Sequence, residues 1–259
     1  MSKKDIAGVA LIMVVLAIAG GLFYVRQMLA AKTYDEATLC PTREAGGVRA
    51  ATLIVIDKSD PFTEPQVATV RQAILNARDA LPPGGKIKIA VIEKAPNEDA
   101  AQIRLLRAVC NPGSGETANA IYQNAKLVER RYRERFLEPL DRDLQSLSVP
   151  GVAPESPIAL ALATSIARDD DIAGIPEKRV ILVSDLLEHT ADMSAYAGEL
   201  SAERLRQSVG EAATAWLSGT KVDVHMLHHA KDPARQEAAL AAWLAFFQGA
   251  GAKAAIAAR

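Results

Sequence analysis

Four short apolar runs punctuate the chain at wide intervals: Thr52–Ile56 (TLIVI), Ile87–Ile92 (IKIAVI), Val180–Val183 (VILV) and Val222–Leu227 (VDVHML). Runs of this kind, rich in β-branched residues, suit strands buried on both faces, as in a parallel sheet. Helical patterns lie between them. Val67, Val70, Ile74 and Leu81 recur at helical spacing behind Thr63-Glu64-Pro65-Gln66, a capping-box sequence with proline in the first turn. Ser156-Pro157 opens an Ala- and Leu-rich helix through Ala167, with Ser156 as its cap. A C-terminal helix around Ala238–Phe247 and a last strand near Ala254–Ala257 complete the series. Strands alternating with helices predict an α/β sheet covered on both faces. One segment breaks the rhythm. After Cys110 comes a loop, NPGSGETANAIYQN, and then Val128, Tyr132, Phe136, Leu140 and Leu144 recur at every fourth position. That spacing predicts one or two amphipathic helices, kinked or divided at Pro139.

The longest apolar stretch is N-terminal. From Ile6 to Val25 no charge interrupts the chain between Asp5 and Arg26, and at 1.5 Å per residue a helix of this length crosses a bilayer core of about 30 Å. The expectation is a stub at residues 1–5 and a transmembrane helix at residues 6–25. A cleaved signal peptide is the competing reading, but its apolar region usually stops at about 7 to 15 residues. A buried core helix does not suit Gly20-Gly21 or the lack of a polar face. Residues 26–48 carry no sustained period and contain Pro41 and Gly46-Gly47, so they read as a stalk. The folded body then runs over residues 49–259, with a helical insertion at about 111–150.

Lys3 and Lys4 precede the apolar segment while Arg26, Lys32 and Arg43 follow it, so the positive-inside rule leaves orientation open. The two cysteines, Cys40 and Cys110, form no CxxC and have no His pair beside them, which excludes a zinc site of the usual spacing. A structural disulfide between them is the first reading. It places the N-terminus in the cytoplasm and the body outside it, in the periplasm if the source is bacterial. Two unpaired thiols in a cytoplasmic body are the alternative.

Composition narrows the function classes. Hydrophobic residues make up 49% of the 259, but aromatics only 5%, so the core must be built from Ala, Val, Leu and Ile. Thirty Lys and Arg against thirty-one Asp and Glu give a net charge of -1, which supplies no field for DNA or RNA. The basic run Lys126, Arg130, Arg131, Arg133 and Arg135 is interleaved with Glu129 and Glu134. It reads as a solvated helix face, with a patch for an acidic partner as the alternative. His225, His228 and His229 invite a metal reading with His189, but on a strand His228 faces away from the other two. Gly113-Ser114-Gly115-Glu116-Thr117 lacks the Gly-Lys-Ser/Thr of a phosphate loop. No G-x-S-x-G or Ser-His-Asp spacing marks an enzyme, which leaves a hydrolase using Ser59 or Ser184 with a histidine as the third-ranked function.

The first apolar run ends in Asp57-Lys58-Ser59-Asp60-Pro61 and a later one in Ser184-Asp185-Leu186. In an open parallel sheet, ligands sit beyond the carboxyl ends of the strands. Asp57, Ser59, Ser156 and Asp185 would supply hard oxygens there, the ligand type that Mg²⁺ prefers. The bland reading is that both aspartates end strands or cap the next helix. Glu188 and His189 would line the same rim, or be solvated loop positions.

In this order the residues resemble the von Willebrand factor A-like family, whose pattern is a D-x-S-x-S loop after the first strand, a Thr at the head of a later helix and an Asp after the next central strand. Asp57 and Ser59 match the loop, Ser156 stands at the Thr position and Asp185 at the final Asp, while the third loop position is Pro61 rather than Ser. The resemblance covers about residues 49–259. It implies a doubly wound, mostly parallel sheet and a metal-ion-dependent adhesion site, with Mg²⁺ keeping an open position for an acidic side chain of a protein partner. Asp60 or Thr63 could replace the missing loop oxygen. The alternative function is a metal-independent structural subunit of an envelope complex.

Overall fold

The computed structural model describes residues 3–30, 34–94, 100–119, 123–147, 152–167, 172, 174–228 and 232–257. The first helix, α1 (Lys3–Ala30), precedes β1 (Ala50–Asp57), α2 (Glu64–Asp79), β2 (Lys86–Glu93) and β3 (Gln102–Cys110). Then follow α3 (Ala125–Tyr132), a π turn (Arg133–Leu137), α4 (Glu138–Leu147), α5 (Ile158–Ala167) and β4 (Glu177–Ser184). A short 3-10 turn (Ala195–Ala197), α6 (Ala202–Val209), α7 (Glu211–Leu217), β5 (Lys221–Met226), α8 (Pro233–Gly249) and β6 (Lys253–Ile256) complete the chain. The strands form one sheet in the order β3-β2-β1-β4-β5-β6, with every neighbouring pair parallel except β2 with β3. This is the doubly wound α/β sheet expected of the apolar runs. Strand order reverses between β1 and β4, which opens a crevice beyond Asp57 and Ser184.

All eight residues of β1 are buried, because helices cover both faces. Leu53 and Val55 enter one apolar layer with α5, α6, α7 and the Trp243, Phe246 and Phe247 cluster of α8. Ile54 and Ile56 enter the other, with Val70 and Ile74 of α2 and Phe136 and Leu140 of the insertion. The side-chain period of two thus divides one continuous hydrophobic run between two cores. At α2 the proposed cap is present, with the Thr63 N–H donating to Gln66 Oε1 at 2.8 Å.

β3 was not expected from the pattern. Its sequence QIRLLRAVC carries Arg104 and Arg107, and it forms the exposed antiparallel edge, where charges are tolerated and protect against further pairing. The Arg107 guanidinium grips Asp143 of α4 through two hydrogen bonds, of 2.7 and 2.9 Å, which holds the insertion against that edge. Pro139 stands where the insertion divides, as the second residue of α4. It follows the π turn, in which the Glu138 N–H reaches back five residues to the Arg133 carbonyl. The wider turn accommodates a residue that lacks an N–H and would crowd the carbonyl of an α-helical turn.

The segment expected as a stalk is held against the body from Tyr34 onward. Tyr34 bridges Pro41, the Cys110 N–H donates to the Thr38 carbonyl at 2.8 Å, and Leu39 is buried in the α2-side core. Cys40 and Cys110 are joined in a disulfide, so neither is a free thiol. The segment is therefore a strap, not a spacer. In α1 the described side chains Leu11–Val25 are exposed and apolar apart from Tyr24. Among the described residues no helix is long and apolar enough to cross a membrane.

Replacing Cys40 and Cys110 by Ser should cost about 4 kcal/mol of stability, the loop-closure entropy of a bridge spanning this much chain. Urea unfolding of native and doubly substituted protein checks this, and reductant should shift the midpoint of the native protein alone.

Candidate functional site

Three loops meet at the carboxyl end of the sheet: 57–63 after β1, 152–157 before α5, and 185–194 after β4. They are laced together by backbone hydrogen bonds. The Ala153 N–H donates to the Ser59 carbonyl at 2.7 Å, and Ser156 and His189 exchange N–H to carbonyl bonds of 2.8 and 3.1 Å. The Asp57 carboxylate lies at their junction. Its Oδ2 accepts from Ser156 Oγ at 2.8 Å and Ser184 Oγ at 3.0 Å, while Oδ1 accepts from the Ser59 N–H at 3.0 Å. Asp57, Ser156 and Ser184 are all buried. Burial of an anion is tolerated because each carboxylate oxygen receives a donor.

The rim therefore brings together Asp57, Ser59, Ser156 and Asp185. Asp185 Oδ1 accepts from the Leu187 N–H at 2.9 Å. Burial, and then the Asp57 charge, push the Asp185 carboxyl up to about 7. Two acids thus share one partly desolvated space. Ser156 does not cap α5, as its hydroxyl is committed to Asp57. That task belongs to Glu188, whose Oε2 accepts from the Ala159 N–H at 2.8 Å in the first turn of α5. Glu188 is almost fully buried rather than a solvated loop position, and burial pushes its carboxyl up to about 8.

Leu186 adopts a left-handed backbone, φ 68°, uncommon for a residue with a branched side chain. Three bonds hold it: its N–H donates to Ser184 Oγ at 2.8 Å, its carbonyl accepts from Trp243 Nε1 at 3.2 Å, and Gln236 Nε2 reaches the neighbouring Asp185 carbonyl at 3.1 Å. Strain of this kind persists only where the surroundings over-determine it. Sequence reasoning missed Gln236 and Trp243. The available signal was a buried-type polar residue within the apolar pattern of α8.

The histidines do not converge. His189 Nδ1 lies 2.9 Å from Ser194 Oγ and its ring meets Tyr196 edge-on at 5.3 Å. His225 is on β5, where burial lowers its pKa. The His228 carbonyl accepts from Gln66 at the far side of the rim, and His229 lies outside the described residues. Among the described residues no group of three or more His, Cys, Asp or Glu is placed to hold a metal. Ser184 is bonded to Asp57 and to the backbone, not to an imidazole, so the serine-histidine pair of the hydrolase reading is not formed there. Beside the acids, Tyr196 is substantially exposed, with the Arg235 guanidinium 5.2 Å from its ring centroid.

The fold and the rim together define a doubly wound α/β domain with a polar, acid-rich site at its strand ends. No protein-family model matches the sequence, and no curated protein matches it. Among solved structures, the VWA domain of SpRpn10 is similar with a TM-score of 0.41 and 14% identity, over 81% of this chain and 87% of that one. The von Willebrand factor type A structure from Catenulispora acidiphila gives 0.39 and 11%, over 82% of this chain and 39% of the other. Human COPII-coat protein Sec24c gives 0.39 and 8%, over 82% and 29%.

Glu188 carries a pH signature. Its folded-state pKa of about 8 lies above the ordinary 4.5, so the folded state binds the extra proton. The associated stability is complete below about pH 4.5 and is lost as pH rises through 8. Glu188→Gln keeps the acceptor for Ala159 without the charge. It should flatten the decline and raise the melting temperature at pH 8.5 by about 4 to 8 °C, the shift that about 2 kcal/mol produces in a domain of this size. Thermal melts from pH 4 to 9 on both proteins measure it.

Proposed function

We propose that this chain is a von Willebrand factor A-like protein-binding module whose acid-rich rim captures a protein partner. The observation that carries the reading is the convergence of Asp57, Ser59, Ser156 and Asp185 from three separate loops at the strand-order reversal. Their oxygens are of the hard type that a small divalent cation takes. Burial, and then the Asp57 charge, push the Asp185 carboxyl up to about 7, and the repulsion between the two acids is one that a cation would relieve.

Asp57 and Asp185, with Ser59 and Ser156, would hold Mg²⁺. When bound, the ion supplies an open coordination position for a carboxylate oxygen of the partner. The remaining contacts come from the chain itself. Tyr196, packed against Arg235 and His189, presents a large amphipathic ring beside the acids, the kind of side chain that dominates binding energy at interfaces. One observation favours a second, metal-independent reading. The Asp57 carboxylate is already bonded by two hydroxyls and an N–H, and the third loop position is Pro61, so the rim is ordered by protein donors alone. In that reading the rim docks constitutively in an envelope complex.

The surroundings of the body belong to the same proposal. The apolar segment at residues 6–25 is a membrane anchor, supported by its freedom from charge and by the exposure of Leu11–Val25. An oxidising compartment is supported by the disulfide, and in that reading the N-terminus is cytoplasmic and the body lies outside the cytoplasm. The folded body begins at the strap, near Tyr34.

The experiment is a paired comparison of metal response and partner capture. About 10 mM Mg²⁺ should raise the melting temperature of the native protein but not of Asp185→Ala, as expected for a ligand that binds only the folded state. Capture of partners should fall about tenfold or more with chelator, or with Asp57→Ala or Asp185→Ala, and the double variant should be no worse than either alone. Capture that chelator leaves intact but the rim variants abolish selects the metal-independent scaffold. Capture that both leave intact removes the rim from the function.

A further inference from the structure

The two ends of the sheet carry opposite charge. Where the parallel strands end, Asp57, Glu93, Asp185 and Glu188 stand against Lys58 and Arg104, which are both paired to Glu93, at 3.4 and 2.5 Å. Where the parallel strands begin, Arg49, Lys86, Lys178, Arg179, Lys221 and Lys253 stand against Glu177 and Asp223, and Asp223 is paired with Arg179 at 2.6 Å and with Lys221 at 3.5 Å. The net charge of -1 conceals this polarity.

The insertion adds to the basic end. Lys126, Arg130 and Arg133 fall at spacings of four and three, on one exposed side of α3 and the turn that follows it. Among the described residues their side chains have no hydrogen-bond or ion-pair partner. The interleaved Glu129, which shares a surface depression with them, is engaged by the Gly115 N–H at 2.8 Å. Two further arginines fasten this helix to the strap: Arg131 lies 4.7 Å from the Tyr34 ring centroid, and the Arg135 guanidinium donates to the Glu36 carbonyl.

Tyr34 is also where the chain arrives from α1. Residues 31–33 alone separate Ala30 from Tyr34, a reach of no more than about 14 Å. The strap then bonds through Cys40 to Cys110, which pairs with Lys86 at the start of β2. The N-terminal helix is thus attached at the basic end of the sheet. The acid rim lies a full strand away, about 26 Å for the eight residues of β1.

We propose that the basic base of the body, with α3 as its main contact, docks on the anionic headgroup surface of the membrane that α1 enters, so that the acid rim projects away from the bilayer. The proposal rests on the anchor reading of residues 6–25. Attraction between fixed charges and a lipid surface acts within a Debye length, about 8 Å at physiological ionic strength. The short tether keeps Lys126, Arg130 and Arg133 near that range. The rim acids, one strand-length out, escape repulsion from the same surface and remain open to a partner.

Hydrogen exchange on the full chain in lipid nanodiscs tests this. One set of discs is wholly phosphatidylcholine, and the other contains about one-third phosphatidylglycerol. Exchange across residues 123–135 should slow by about fivefold in the anionic discs, and high salt should remove the effect, as expected of surface electrostatics. Exchange across the rim at 185–194 should be equal in both discs. Lys126→Glu with Arg130→Glu and Arg133→Glu should abolish the protection, with the melting temperature confirming that the variant is folded. If that variant does not fold, Lys221→Glu with Lys253→Glu should reduce the protection instead. Equal exchange of 123–135 in both discs, protection that survives high salt or the substitutions, or protection of the rim in its place would overturn the docking while leaving the anchor intact. A chain that a high-salt wash strips from both kinds of disc would overturn the anchor reading, and the docking with it.

Discussion

Withdrawal of all eight residues of β1 from water is the constraint on which the remaining architecture depends. A strand that is apolar on both faces cannot lie at a surface, so it must have neighbours on either side and helices above and below. Its alternate side chains feed two separate cores, one closed by the aromatic cluster of α8 and the other by α2 and the insertion. The same burial dictates where polarity can return. The first acidic side chain after the apolar run, Asp57, emerges at the strand end, beside the gap that the reversal of strand order leaves open.

At that gap the structure resolves an electrostatic problem before any ligand arrives. Asp57 is buried, yet two serine hydroxyls and an N–H satisfy it. Glu188 is buried as well, and it is placed at the N-terminus of α5, where free N–H groups and the helix dipole favour a carboxylate. Asp185 is largely buried and sits near Asp57, so its carboxyl is pushed up to about 7, while the more deeply buried Glu188 is pushed up to about 8. The loop that carries it passes through the left-handed turn at Leu186, fixed from behind by Gln236 and Trp243. A rim this closely supported presents a preorganised surface, which lowers the ordering cost of binding.

The strap and the insertion are coupled to one another and to the edge of the sheet. Cys40 ties the strap to the end of β3, Arg107 ties β3 to α4, and Arg131 and Arg135 return from α3 and the π turn to the strap. This closed circuit explains why a segment without hydrophobic period is nonetheless ordered. Its residues are held by a covalent bond, a buried leucine and backbone hydrogen bonds rather than by an amphipathic face.

The sequence by itself determined the parallel core strands, the helices between them and the position of Asp57, Ser59 and Asp185 at strand ends. Each of these follows from local periodicity or from the rule that polar residues following a buried strand lie at its end. The cysteine pair was legible because only two were present. Other features were not legible. β3 carries arginines because it is an edge, and being an edge is a property of the sheet, not of nine residues. Ser156 reads as a cap from its neighbours but serves Asp57, ninety-nine positions away in the chain, and the cap it vacates is filled by Glu188. In each case the deciding partner is distant in sequence, and a hydrogen bond or a burial shared between distant residues leaves no period along the chain to be read.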